Sequence, residues 1–246
     1  MSKLTNNEVI KLVNMTLDPI MKNEGFSRSG RIYYKKVNDL IFILQTSAVG
    51  HYFSEVTGWP SHSFGIHCGI WCDGISEYIF SLPKRRDKNG TLIPDYPVCD
   101  GNDEINRKAE HPYRFLGLKY GANKVERKRN DIWIMPDNVL KQKQFLNELV
   151  EQVKINFLDN YKKYTDYIEL EHLIVGKRHD YNIESGYSDD MVFDGKTCIG
   201  NFNYYLQYAI LFYKKYGPKE KYLKYLKRYE EWCSARGEQV KDCYYT

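Results

Sequence analysis

Residues 62–74 read HSFGIHCGIWCDG. Two histidines, two cysteines and an aspartate crowd this stretch, and the fold turns on whether it is a strand or a reactive centre. In an extended chain successive side chains alternate faces. Ile66, Cys68, Ile70 and Cys72 then share one side, and His67, Gly69 and Trp71 the other. Four residues of strand separate the two cysteine α-carbons by ~13 Å, too far for one zinc ion with Zn–S bonds of ~2.3 Å. A helix would bring the thiols together, but Gly65, Gly69 and Gly74 disfavour one. The face Ile-Cys-Ile-Cys is a buried apolar stripe, free cysteine being a small hydrophobe. The stretch is predicted to be a strand with neither metal nor nucleophile.

Outward from it, the chain reads as an α+β protein: an antiparallel sheet packed against long helices, with a helical C-terminal part. Toward the N-terminus, RIYYKK and DLIFILQTS flank Val37-Asn38 and carry the aromatic and β-branched signature of a hairpin. Before them, Val9, Ile10, Val13, Leu17, Ile20 and Met21 recur at helical spacing, with Pro19 expected to kink or stop the helix and Gly25 to end it. HYFSEVTGWPSH precedes the strand as a loop.

Toward the C-terminus, residues 84–109 are rich in Pro, Gly, Asn and charge, so a long irregular connection is expected. DIWIM reads as a short strand. Asp137 is expected to cap a helix with a stripe of Leu146, Leu149, Val150, Val153 and Phe157. After Tyr164 a short helix with a turn and a polar loop lead to NFNYYLQYAILFYKKYG, a strongly apolar helix ending at Gly217. Pro218 opens a last helix with Tyr222, Tyr225, Leu226, Tyr229 and Trp232 on one side and Lys221, Lys224 and Lys227 toward the others. The expected division is an α+β domain at 1–160 and a helical subdomain at 161–246.

The 246 residues carry a net charge of +4, too mild to indicate nucleic acid by itself. MSKLTNNEVIKL lacks the apolar core of a signal peptide, and no later stretch is apolar over ~20 residues. A cytoplasmic protein with reduced thiols is expected, since the six cysteines form no CxxC pair. HPYRFLG at 111–117 superficially resembles the HPFxxGNGR loop of Fic-type AMP transferases. Its glycine is one place late, however, and Leu118-Lys119 stands where Asn-Gly-Arg is needed. Glu184, Asp189, Asp190 and Asp194 lie in a glycine-containing polar stretch, where carboxylates are solvated. Glu169 and Glu171 with Lys177 have the wrong spacing for a nuclease core, and His172 and His179 lack HExxH context.

Two basic clusters remain: Lys84, Arg85, Arg86 and Lys88, then Lys124, Arg127, Lys128 and Arg129. Both could meet phosphates, with tyrosines stacking on bases; Asp87, Glu126 and Asp131 dilute them. The first 70 or so residues resemble the bacterial DUF4304 family, whose function is unknown. The resemblance rests on LDPIMKNEGF with Gly25 and Phe26, RIYYKK with Tyr33 and Tyr34, DLIFILQTS with Gln45, and FGIHCGI with Phe64 and Gly69; HYFSEVTGWPSH departs from the pattern. It implies an α+β fold and assigns no catalytic residue. The physical content of these positions is structural: Gly25 ends a helix, and Phe26 and Tyr33 pack beneath it.

Three functions follow in order. The first is a non-catalytic domain that binds a protein partner, of the kind that serves as a toxin's partner or immunity factor. The second is nucleic-acid binding through the basic loops. The third is an enzyme assembled from distant residues such as His67, Glu184, Asp189 and Asp190. No cofactor, metal or membrane is expected.

Overall fold

The computed structural model describes residues 4–48, 63–79, 85–95, 100–105, 107, 115–116, 126–127, 132–176, 200–241 and 244–245. The chain divides into two units, one of Met1–Ile70 with Pro83–Tyr161, the other of Trp71–Leu82 with Lys162–Thr246.

The first unit opens with helix α1, Asn6–Asn23. Thr5 and Glu8 form a reciprocal capping box at its start, each side chain meeting the other's backbone N–H. The helix runs through Pro19, where a kink or stop is expected. A proline there removes the donor that Met15 C=O would use, and Met15 lies on the open side of the helix with 60% of its surface exposed, where water can replace that bond. At the other end Gly25 adopts φ +79°. The Gly25 amide donates to Lys22 O and the Phe26 amide to Met21 O, the paired bonds of a left-handed helix terminator.

Strands β1 (Ser27–Ser29), β2 (Ile32–Val37), β3 (Leu40–Ala48) and β4 (Ser63–Cys72) follow, then β5 (Asp100–Glu104). They lie side by side in that order, and β8 (Ile132–Ile134) also pairs with β4. β1 to β2, β2 to β3, β4 to β5 and β4 to β8 are antiparallel. Thus the fold is α+β, with an antiparallel sheet against long helices and a helical C-terminal part. SFGIHCGIWC forms the extended strand expected of it, but more completely buried: of Ser63–Cys72 only His67 is half-exposed. Strand β5 falls inside the stretch expected to be irregular. DGNDE has no strand-forming side chains; pairing with the β4 backbone makes it a strand, and it carries one extra residue opposite Cys68–Ile70. Strands β6 (Phe115–Leu116) and β7 (Glu126–Arg127) form a separate antiparallel pair.

Helix α3, Val139–Val153, is capped by Asn138, one residue later than expected; its side chain accepts from the Leu140 and Lys141 amides. The buried stripe is Phe145, Leu149, Gln152 and Val153, so Phe145 takes the place predicted for Leu146. The cause is tertiary: Phe145 sits edge-on to both Phe64 and Trp133, with ring centroids at 6.1 and 5.4 Å. A π-helical turn, Lys154–Leu158, then shifts the register and buries both Phe157 and Leu158.

Adjacent tyrosines on β2 reach opposite faces of the sheet. Tyr33 donates its hydroxyl to Asn14 O and Asp18 of α1. Two residues on, and on the same face, Lys35 donates to Glu24 O at 2.6 Å and to the Tyr161 hydroxyl at 2.9 Å. Its ammonium thereby satisfies a helix-terminal carbonyl while lying over the Phe26 and Tyr161 rings.

In the second unit, α2 (Ser76–Ile79), α4 (Tyr167–Glu171), a π-helical turn (His172–Gly176), α5 (Gly200–Tyr216) and α6 (Lys219–Ala235) follow one another. From Leu206 to Tyr213 every residue of α5 is buried, which marks it as the central helix of the unit. Gly217 lets the chain turn tightly, since a Cβ there would lie 2.9 Å from Tyr213 Cα. Pro218 then stands at the N-cap of α6. Helix α6 packs back on α5 through Tyr225, stacked on Tyr213 at 5.3 Å, and buries Leu226, Tyr229 and Cys233.

Candidate functional site

Of the two basic clusters predicted from sequence, the structure describes most of the first. Residues Arg85–Ile93 form a small hairpin. Its arms are joined by the Ile93 amide on Arg85 O and the Asp87 amide on Thr91 O, both 3.0 Å, with Arg86 bridged to Leu92. Asp87 organises the tip. Its carboxylate accepts from the Asn89 and Thr91 amides, each at 2.8 Å, and from the Tyr34 hydroxyl at 3.0 Å. Ile93, fully buried, anchors the returning arm. Desolvation pushes the Asp87 carboxyl up, but the Thr91 and Asn89 amides and the Tyr34 hydroxyl together outweigh it and hold it below its ordinary range. The acidic residue that dilutes the cluster in the sequence is therefore turned to the turn amides and the sheet.

Arg85, Arg86 and Lys88 are exposed. Arg86 donates to Gly90 O at 2.7 Å, which fixes its guanidinium beside the turn. None of the three has a carboxylate partner among the described residues. Arg127 falls in β7. Lys84, Lys124, Lys128 and Arg129 lie outside the described residues, as do Glu184, Asp189, Asp190, Asp194, Lys177 and His179. The Fic-like segment is described only at Phe115–Leu116.

His67 projects from β4 with its ring over Gly65, where an added Cβ would lie 2.9 Å from Nε2. Cys68 and Cys72 are buried free thiols. Among the described residues no three His, Cys, Asp or Glu side chains are grouped to hold a metal ion, and no helix is long and apolar enough to cross a membrane.

One polar cluster was invisible in the sequence. Glu171 accepts from the Tyr213 hydroxyl at 2.5 Å and from Lys221 at 2.8 Å, and Lys221 lies 4.9 Å from the Tyr213 ring centroid. Desolvation raises the Glu171 carboxyl, but Lys221 and the Tyr213 hydroxyl prevail and hold it low. Burial, then Glu171, drives the Tyr213 phenol far upward, so it keeps its proton and acts as a donor. Glu169, its sequence neighbour, is exposed. The cluster ties the short α4 to α5 and α6, partners 42 and 50 residues away, a separation at which no spacing rule operates.

A different signal comes from apolar side chains left in water. Val139 and Leu140, on the first turn of α3, are 61% and 76% exposed. Ile168, on the first turn of α4 beside the partly exposed Tyr167, is 71% exposed. Each pair follows directly on an Asx N-cap, Asn138 or Asp166, which fixes the backbone beneath it. Comparisons of the chain with protein-family models, with curated proteins and with solved structures gave no match.

Proposed function

We propose that the chain is a non-catalytic protein-binding domain of the cytoplasm, of partner or immunity type, whose N-terminal third follows the DUF4304 pattern. The observation that carries this reading is the exposed apolar pairs, Val139-Leu140 and Tyr167-Ile168, on rigidly capped first turns. Large side chains held in water on ordered backbone gain free energy when a partner covers them, and their backbone loses little entropy on binding. The polar clusters agree with it. Tyr33 with Asp18, Lys35 with Glu24 O, and Glu171 with Lys221 each hold fold elements together.

The test is recovery of partners from native lysate with the tagged chain, beside Leu140→Asp and Ile168→Asp variants. The reading expects one protein recovered in stoichiometric amount with the native chain and lost with at least one variant of unchanged thermal stability. Recovery of no protein, or of the same proteins with all three chains, removes it.

A further inference from the structure

We infer that the Arg85–Ile93 hairpin is the contact through which this domain takes an acidic segment of a protein partner, a step that rests on the protein-binding reading above. A run of lysines and arginines in a flexible loop is ordinarily solvated and carries no such weight. This one differs in two respects.

The first is order. Cross-arm backbone bonds, the Asp87 carboxylate with its two turn amides, the Arg86–Gly90 bond and the buried Ile93 fix the finger, and the Tyr34–Asp87 bond ties it to the sheet. A ligand meeting it does not have to order the backbone, which is a main cost of binding to loops.

The second is charge accounting. The hairpin holds three cations and one carboxylate, and that carboxylate is directed to backbone amides and a phenol. Arg85, Arg86 and Lys88 have no carboxylate partner among the described residues. Their positive potential is presented outward, where carboxylates from another molecule would complete it.

The same features favour carboxylates over nucleic acid. A guanidinium and an ammonium on one small turn match a short carboxylate cluster. A nucleic-acid groove pairs cations along a backbone path with aromatic faces for bases, and Tyr34, whose hydroxyl meets this hairpin, is buried and directs that hydroxyl to Asp87. Nor does a net charge of +4 supply the field that non-specific nucleic-acid binding draws on.

The experiment is fluorescence anisotropy on the full chain with two labelled probes, a ten-residue oligoglutamate peptide and a single-stranded oligothymidine of matched charge, at low and at high salt. Three variants accompany the native chain. Arg85→Ala with Lys88→Ala removes exposed side chains that make no bond among the described residues. Tyr34→Phe keeps every charge but removes the hydrogen bond between the hairpin and the sheet. Lys141→Ala with Lys143→Ala removes two exposed lysines of α3 and serves as the charge-matched control.

Oligoglutamate is expected to bind, to weaken about tenfold in the hairpin double variant and a few-fold in Tyr34→Phe, to be unchanged in the control pair, and to weaken with salt. Equal weakening in the control pair, or no binding of the peptide at low salt, overturns the inference. Tighter binding of oligothymidine, lost in the same hairpin variant, overturns it in favour of nucleic acid. The lysate experiment with Leu140→Asp and Ile168→Asp reports separately, so a failed hairpin and a failed protein-binding reading give different results.

Discussion

Tyr34 and Asp87 are joined by a hydrogen bond of 3.0 Å between positions 53 residues apart. Its neighbour Tyr33 points the other way and bonds Asn14 and Asp18 of α1. Two successive tyrosines of one strand thus clamp a helix to one face of the sheet and a cationic hairpin to the other, which is what a pleated backbone makes available.

Tyr34→Phe should loosen the hairpin without unfolding the sheet. Amide exchange at Asn89, Thr91 and Ile93 is expected to quicken roughly fivefold, the effect of one lost hydrogen bond, with exchange in β2 and β3 unchanged. Unchanged protection at the three amides would show that the turn holds itself.

Pro19→Ala should stabilise the protein. Pro19 is exposed, so little contact is lost, and alanine restores the bond to Met15 O and a better helix former. A gain of about 1–3 kcal/mol is expected in urea unfolding. A loss instead would mean that the proline sets a bend on which α1 packing depends.

Gly25→Ala should act in the opposite sense. At φ +79° a side chain is strained whatever space surrounds it, and the new Cβ would stand 3.5 Å from the Lys35 amine. A loss of roughly 1–2 kcal/mol is expected, read as a lower urea midpoint at constant slope.

Glu171 gives a pH dependence of known sign. Its carboxyl is held below the ordinary value of 4.5 in the fold, so its contribution is fully present above that value and is lost as pH falls through the depressed one. Glu171→Gln should therefore lower the unfolding midpoint at neutral pH, and the gap from the native chain should narrow as the pH drops below about 4.5. A gap constant from pH 7 to pH 3 would place the stabilisation elsewhere.

Thiol labelling tests the strand that opens the sequence reading. Cys68, Cys72 and Cys233 are buried and free, and burial raises the Cys233 thiol further. In the native chain these three should react with iodoacetamide at least ~100-fold more slowly than in urea, as read by peptide mapping. Fast native labelling of Cys68 or Cys72 would contradict the buried strand.

By itself the sequence determined the elements that depend on local chemistry. The apolar stripe of α1, its end at Gly25, the hairpin around Asn38, the extended run through Cys72 and the α5–α6 break at Gly217-Pro218 all follow from periodicity and turn residues, which act over a few positions. Tertiary structure decided the rest, because it depends on which distant groups meet. The β4 backbone makes a strand of DGNDE, and Trp133 and Phe64 draw Phe145 into the α3 stripe. Helix α1 runs on past Pro19 with Met15 on its exposed side, Asp87 is turned toward Tyr34, and Glu171 meets Tyr213 and Lys221 across tens of residues. Pairing, burial and electrostatic balance are properties of the packed chain, and no short window of sequence contains them.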